Sequence, residues 1–170
     1  MGNIVHCYRQ DFPKCRFVGI RYTNPEQAAN AWGEWFSEER FENLETLLTP
    51  EFCAIYPDTD AYVSLTREGS DVGFESWIGM FLPENSPVPQ GFESMDFQHS
   101  YAGICWIQGA EQSLYGQNAL CRETLCSHNL KIASEADGTC WFFERYTCPR
   151  FTTPDENGEV ILDAGYFVEK

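Results

Sequence analysis

The sequence predicts an α+β fold. Two similar strand–helix–strand–strand modules share an antiparallel sheet with helices on one face and a ligand cleft on the other. Three observations lead there: an internal repeat, a capped amphipathic helix, and aromatic-rich strands with period-2 alternation. In the repeat, VGIRYTNPEQAANAWGEWF begins at Val18 and AGICWIQGAEQSLYGQNAL begins 84 residues later at Ala102. Both run through a small residue, Gly, Ile and an aromatic, then a turn, then Glu-Gln opening a helix. Each closes on an aromatic-Gly pair, Trp32-Gly33 or Tyr115-Gly116. That spacing is about half of the 170 residues and reads as a tandem duplication. The expected organisation is one domain over 1–170, with module one about 1–84 and module two about 90–170.

In the first module, 16–23 reads as a strand. Asn24 then caps a helix, with Pro25 at its first position and Gln27 completing a capping box. Ala28, Trp32, Trp35, Phe36, Leu44, Leu47 and Leu48 recur at helical spacing, so one long helix with a core-facing stripe is expected. Strands follow near 52–57 and 73–82. LPENSPVPQG (82–91) reads as the linker, because its prolines interrupt regular structure. The second module is expected to have strands near 92–108, a helix near 112–129, and strands near 140–148 and 160–168. FCAIYPD at 52 answers CWFFERY at 140, and SWIGMFLPE answers LDAGYFVEK.

Alternation assigns side chains to faces. Phe142, Glu144, Tyr146 and Cys148 share one face of their strand, and Trp141, Phe143 and Arg145 the other. Ile78, Met80 and Leu82 make an aliphatic face suited to a helix. Trp77, Gly79 and Phe81 make the opposite one, suited to a flat ligand. A sheet covered on one side leaves its other face free, and two such faces meeting form a cleft. Glu144 is the informative residue. A carboxylate set among rings is costly to bury without a partner, and Arg145 points to the other face.

Composition excludes several classes. The formal charge of −15 argues against direct nucleic-acid binding and favours cationic ligands. No run of apolar residues is long enough to span a membrane. The N-terminal segment has no secretory pattern, and Met1-Gly2 is a poor lipidation match, so a cytoplasmic protein is expected. Eight cysteines and three histidines show no zinc spacing, so reduced, mostly buried thiols and no metal are expected. No motif calls for a cofactor.

FVGIRYT, HSYAGICWIQGAEQ and above all FFERY, a Phe-Glu-x-Tyr match, resemble the GyrI-like small-molecule-binding domain. That is the multidrug effector-binding module of AraC/MerR-type regulators, which also occurs free-standing. The resemblance covers nearly the whole chain and implies two modules related by pseudo-twofold symmetry with a drug pocket between them. Its central acid would be Glu144, with Tyr146, Tyr101 and Tyr166 as pocket aromatics; alternation adds Phe142 and Trp77. Alternation turns Tyr166 toward the helix with Ala164 and Val168, so its two readings differ. The expected ligand is a lipophilic, aromatic and cationic small molecule. The resemblance also implies two alternatives. One is hydrolysis of electrophilic cyclopropane-type molecules with Glu144 as general base; the other is a gyrase-inhibitor-like protein partnership. GYFVEK lacks the family's usual final-strand proline, and no DNA-binding domain precedes the module, so a second chain would have to supply DNA contact.

Overall fold

The computed structural model describes residues 2–170; Met1, part of the lipidation reading, lies outside them. The strands are β1 (Asn3–Asp11), β2 (Cys15–Tyr22), β3 (Tyr62–Glu68), β4 (Ser76–Pro83), β5 (Glu93–Phe97), β6 (Tyr101–Gly109), β7 (Cys140–Tyr146) and β8 (Val160–Phe167). They form one antiparallel sheet of eight strands in the order β1-β6-β8-β7-β3-β4-β2-β5. Exchanging β1 to β4 with β5 to β8 reverses this order without changing it. The outermost strands cross over: β1 pairs with β6, and β5 pairs with β2.

Four α-helices complete the fold: α1 (Pro25–Ser37), α2 (Arg40–Glu45), α3 (Pro50–Ile55) and α4 (Asn118–Ser127). The side chain of Asn24 accepts from the Gln27 N–H and Pro25 opens α1, as its cap sequence requires. The expected long helix is broken at Glu39, whose φ of 54° is left-handed, and α2 starts afresh. Among the described residues, no helix is long and apolar enough to cross a membrane.

Three expectations fail for identifiable reasons. Residues 50–55 are helical rather than extended, because Thr49 accepts from the Phe52 N–H and Pro50 occupies the first turn. CWFFERY is instead paired directly with YVSLTRE, as β7 against β3. The strands expected near 92–108 are β5 and β6, but the helix expected near 112–129 begins as a 3₁₀ turn, Glu111–Ser113, before α4. β1 was not anticipated; it is an edge strand, mostly exposed, and its polar letters carry no core pattern.

The two sheet faces are packed differently. On one, α1 and α2 cover β2 and β4, where Trp35 and Phe41 meet Val18, Ile78, Met80 and Leu82. On the same face α4 covers β6 and β8, where Cys121 and Leu125 meet Cys105, Ala164 and Tyr166. The reverse face was expected to be an open cleft. It is instead a filled core in which Phe12, Phe17, Trp77, Phe81, Phe143 and Phe167 pack with Phe52 and Tyr56, the last two brought by α3 and the residue after it. Burying each such ring contributes about 1.5–3 kcal/mol, so this face closes on itself instead of waiting for a ligand.

Two contacts join neighbouring strands within the sheet. Gly19 of β2 lies directly across from Gly79 of β4. A Cβ on Gly19 would stand 2.1 Å from the Ile78 carbonyl oxygen, and one on Gly79 would stand 2.1 Å from that of Val18. On the reverse face, Arg145 and Asp163 are both 0% exposed and bonded, with Arg145 Nη2 donating to Asp163 Oδ2 at 2.7 Å. Arg150 and Asp58 extend this network, and Tyr56 accepts from Arg145.

Candidate functional site

α1 covers the outer strands of one half of the sheet and α4 those of the other. Between them the central pair, β3 and β7, is left without a roof, and a cavity of about 1100 Å³ opens there. Tyr62, Ser64 and Thr66 of β3 and Glu144 and Tyr146 of β7 form its floor. These are the alternate residues of strands whose other faces, Val63, Leu65, Phe143 and Arg145, enter the reverse core. Trp32 and Phe36, one turn apart on α1, form one wall, and Glu111 and Tyr115 the opposite one. Phe74, from the β3–β4 loop, and Phe151 close the ends. The cavity is therefore on the face that α1, α2 and α4 cover, not on the reverse face where the sequence reading put the cleft. Alternation says which side chains share a face; it does not say where the helices will part.

Glu144 sits at the centre of the floor. Its Oε2 accepts the Gly116 backbone N–H at 3.1 Å, and its Oε1 lies 3.3 Å from the donating Tyr146 hydroxyl and 3.4 Å from that of Ser64. Gly116, at φ 71°, holds the left-handed turn that aims this N–H at the carboxylate. All three bonds are long and come from neutral donors, so they offset burial only in part. Burial pushes the Glu144 carboxyl above the usual carboxylate range, with Gly116, Tyr146 and Ser64 pulling the other way. Burial also raises the Tyr146 hydroxyl, with the Glu144 charge next, so the phenol stays protonated as a donor.

The lining is aromatic and acidic. Three of its rings remain open to solvent: Phe36 at 55% exposed, Tyr115 at 43% and Phe74 at 41%. Trp32 meets Tyr146 edge-on at 5.0 Å. Glu45, Asp60 and Glu111 join Glu144 as lining carboxylates, and among the described residues no Lys or Arg lines the cavity. Tyr62 donates to Glu45 at 2.6 Å and Tyr115 to Glu111 at 2.8 Å, so with Tyr146 and Glu144 there are three Tyr–Glu pairs around one space. Among the described residues, no cluster of His, Cys, Asp and Glu is arranged to hold a metal.

Of the six residues singled out from the sequence, the fold brings Glu144 and Tyr146 to the cavity. Phe142 and Tyr166 are on the same sheet face but buried under α4, in ring contact at 5.2 Å. The Tyr166 hydroxyl donates to Glu68, so its alternation reading, toward the helix, describes its place. Tyr101 lies near the β1 edge, with Arg9 over its ring at 4.3 Å. Trp77 belongs to the reverse core and donates to Glu75 at 2.9 Å. Trp32 and Phe36, read as core, are cavity walls; of the three aromatics of α1 only Trp35 is fully buried. Their i, i+3, i+4 spacing spans about 100°, the width of an ordinary core stripe, so no sequence signal separated wall from core. Glu45 and Glu111 carry no local signal.

No protein-family model and no curated protein sequence matches the chain. Solved structures do. SAV2435 bound to tetraphenylphosphonium superposes with a TM-score of 0.61 at 16% identity, over 97% of this chain and 94% of that one. A Staphylococcus aureus MU50 protein assigned to bacterial transcription regulation gives 0.58 at 14% identity, over 97% and 99%. EcmrR, in its complex with DNA, gives 0.54 at 12% identity, over 97% of this chain and 57% of that one. At these identities the likeness establishes a shared fold.

Proposed function

We propose that this chain is a GyrI-like effector-binding module, a single domain of two duplicated halves, which takes lipophilic aromatic cations into the cavity between α1 and the Glu111–Gly116 segment. The observation that carries this reading is the pairing of an aromatic lining with four carboxylates and, among the described residues, no basic residue. A cation about 4 Å from Glu144 gains roughly 4 kcal/mol at an effective dielectric of 20, before desolvation. Each ring it touches adds about 0.5–2 kcal/mol by stacking or cation–π contact. The palindromic strand order supports the duplication, and the tetraphenylphosphonium held by SAV2435 supports the ligand class.

Two probes of the same shape and opposite charge test it. Tetraphenylphosphonium should quench intrinsic fluorescence through Trp32 with micromolar affinity, and tetraphenylborate should not. Equal affinity for the two would remove the electrostatic basis of the reading.

A further inference from the structure

Elsewhere in this chain, buried acids are neutralised by arginine: Asp58 and Asp163 share Arg145 and Arg150, and Glu75 faces Arg21 and Arg67. Among the described residues the cavity acids have no such partner, Glu144 on the floor and Glu45, Asp60 and Glu111 exposed around it. Two of them are physically joined. Glu111 opens the 3₁₀ turn and accepts from the Tyr115 hydroxyl at 2.8 Å; the next residue, Gly116, donates its N–H to Glu144. The Tyr115 and Tyr146 rings stand 6.5 Å apart, and Tyr146 donates to Glu144. The floor acid and this rim acid are thus separated by two neighbouring rings. Glu45 is placed differently, because its partner Tyr62 is stacked on Phe41 of α2 at 3.7 Å.

We infer that the cavity is built for dications: one cationic centre against Glu144, the second against Glu111, and a flat skeleton between them along Tyr146 and Tyr115. This rests on the cation reading above and narrows it to a charge number and a direction. Glu144 is enclosed and Glu111 is exposed at the rim, so a monocation held at Glu144 leaves the rim charge to solvent. A dication compensates both and uses the same rings. The cavity volume, about 1100 Å³, is ample for a tricyclic ring system with a charged side arm.

Ethidium and propidium supply the test, since both carry the phenanthridinium ring and propidium adds a quaternary ammonium on a short arm. Titrated against the whole chain at low salt, propidium should bind about fivefold or more tighter than ethidium, the gain of a second, partly screened ion contact. Glu111→Gln should collapse that ratio toward one, while Glu45→Gln should preserve it. Equal affinities in the unaltered protein, or loss of the ratio in Glu45→Gln instead of Glu111→Gln, would overturn the inference and leave monocation binding standing. If neither dye binds nor tetraphenylphosphonium quenches, the cation reading falls and this inference with it.

Discussion

Ser64 lies directly across the β3–β7 ladder from Glu144, and its hydroxyl is 3.4 Å from the Glu144 Oε1. The carboxylate thus sits on the seam between the strand systems of the two halves, held by neutral donors from both sides. Its response to protons follows from that setting. With the folded carboxyl raised above its unfolded value, the native state binds the proton more tightly, so ionisation costs stability as pH rises through the folded value. Below the unfolded value both states are protonated and the residue contributes nothing.

Glu144→Gln should therefore leave thermal stability at neutral pH unchanged or up to about 1 kcal/mol higher, since an uncompensated charge is removed and an amide oxygen can still accept from Gly116. The same change should abolish the pH dependence of cation affinity. In the unaltered protein a bound cation favours the ionised form, so affinity for tetraphenylphosphonium should fall as pH drops through the raised Glu144 value. Melting and titration at two pH values check both statements. A destabilised variant that still binds cations would make Glu144 part of the scaffold.

Trp32 and Trp77 should behave in opposite ways. Trp32→Ala removes a cavity wall and should weaken every ring ligand by about 3- to 30-fold, with a small stability cost. Trp77→Ala empties part of the reverse core and should cost about 3–5 kcal/mol of stability, while the folded fraction keeps its ligand affinity. Urea melts read alongside dye titrations separate the two effects.

Asp163→Asn should be severe. It removes the charge facing Arg145 and Arg150 in a fully buried setting, leaving Arg145 with Asp58 at 3.5 Å. The expected loss is about 3–5 kcal/mol, a drop in Tm of roughly 10 °C for a chain of this size. Calorimetry measures it, and cation affinity at low temperature should stay within about twofold.

Alanine at Gly19 or Gly79 would push a methyl group into an opposing backbone carbonyl, which no side-chain movement can relieve. The strands β2 and β4 must then part, at a cost of about 2 kcal/mol or more. Circular dichroism melts of the two single variants should show similar losses, because each glycine makes room for the other's strand.

Glu144 was legible in the sequence because one carboxylate among rings with no cation on its own face has few structural explanations. Tyr146 followed from it by alternation, and the capped start of α1 from Asn24, Pro25 and Gln27. The side of the sheet on which the cavity opens was not legible, because it depends on α1 and α4 each covering only outer strands. α3 was hidden by its own composition: Phe52, Ala54, Ile55 and Tyr56 read as a strand, although Thr49-Pro50 is a helix-start sequence. Glu45, Asp60 and Glu111 reach the cavity from three separate segments. Their convergence exists only after folding.

The crossing of the outermost strands has a further effect on how the chain can be divided. β1 is carried by the first half of the sequence yet completes the edge of the second, and β5 does the reverse. Each half alone would lack a strand that only the other provides, and would present a bare hydrogen-bonding edge beside β6 or β2. Co-expressed fragments cut between Pro83 and Gln90 should therefore reassemble by mutual capture, like the two pieces of a split reporter. The joint they rebuild includes the β3–β7 seam, so recovery of ligand-quenched fluorescence would register assembly directly.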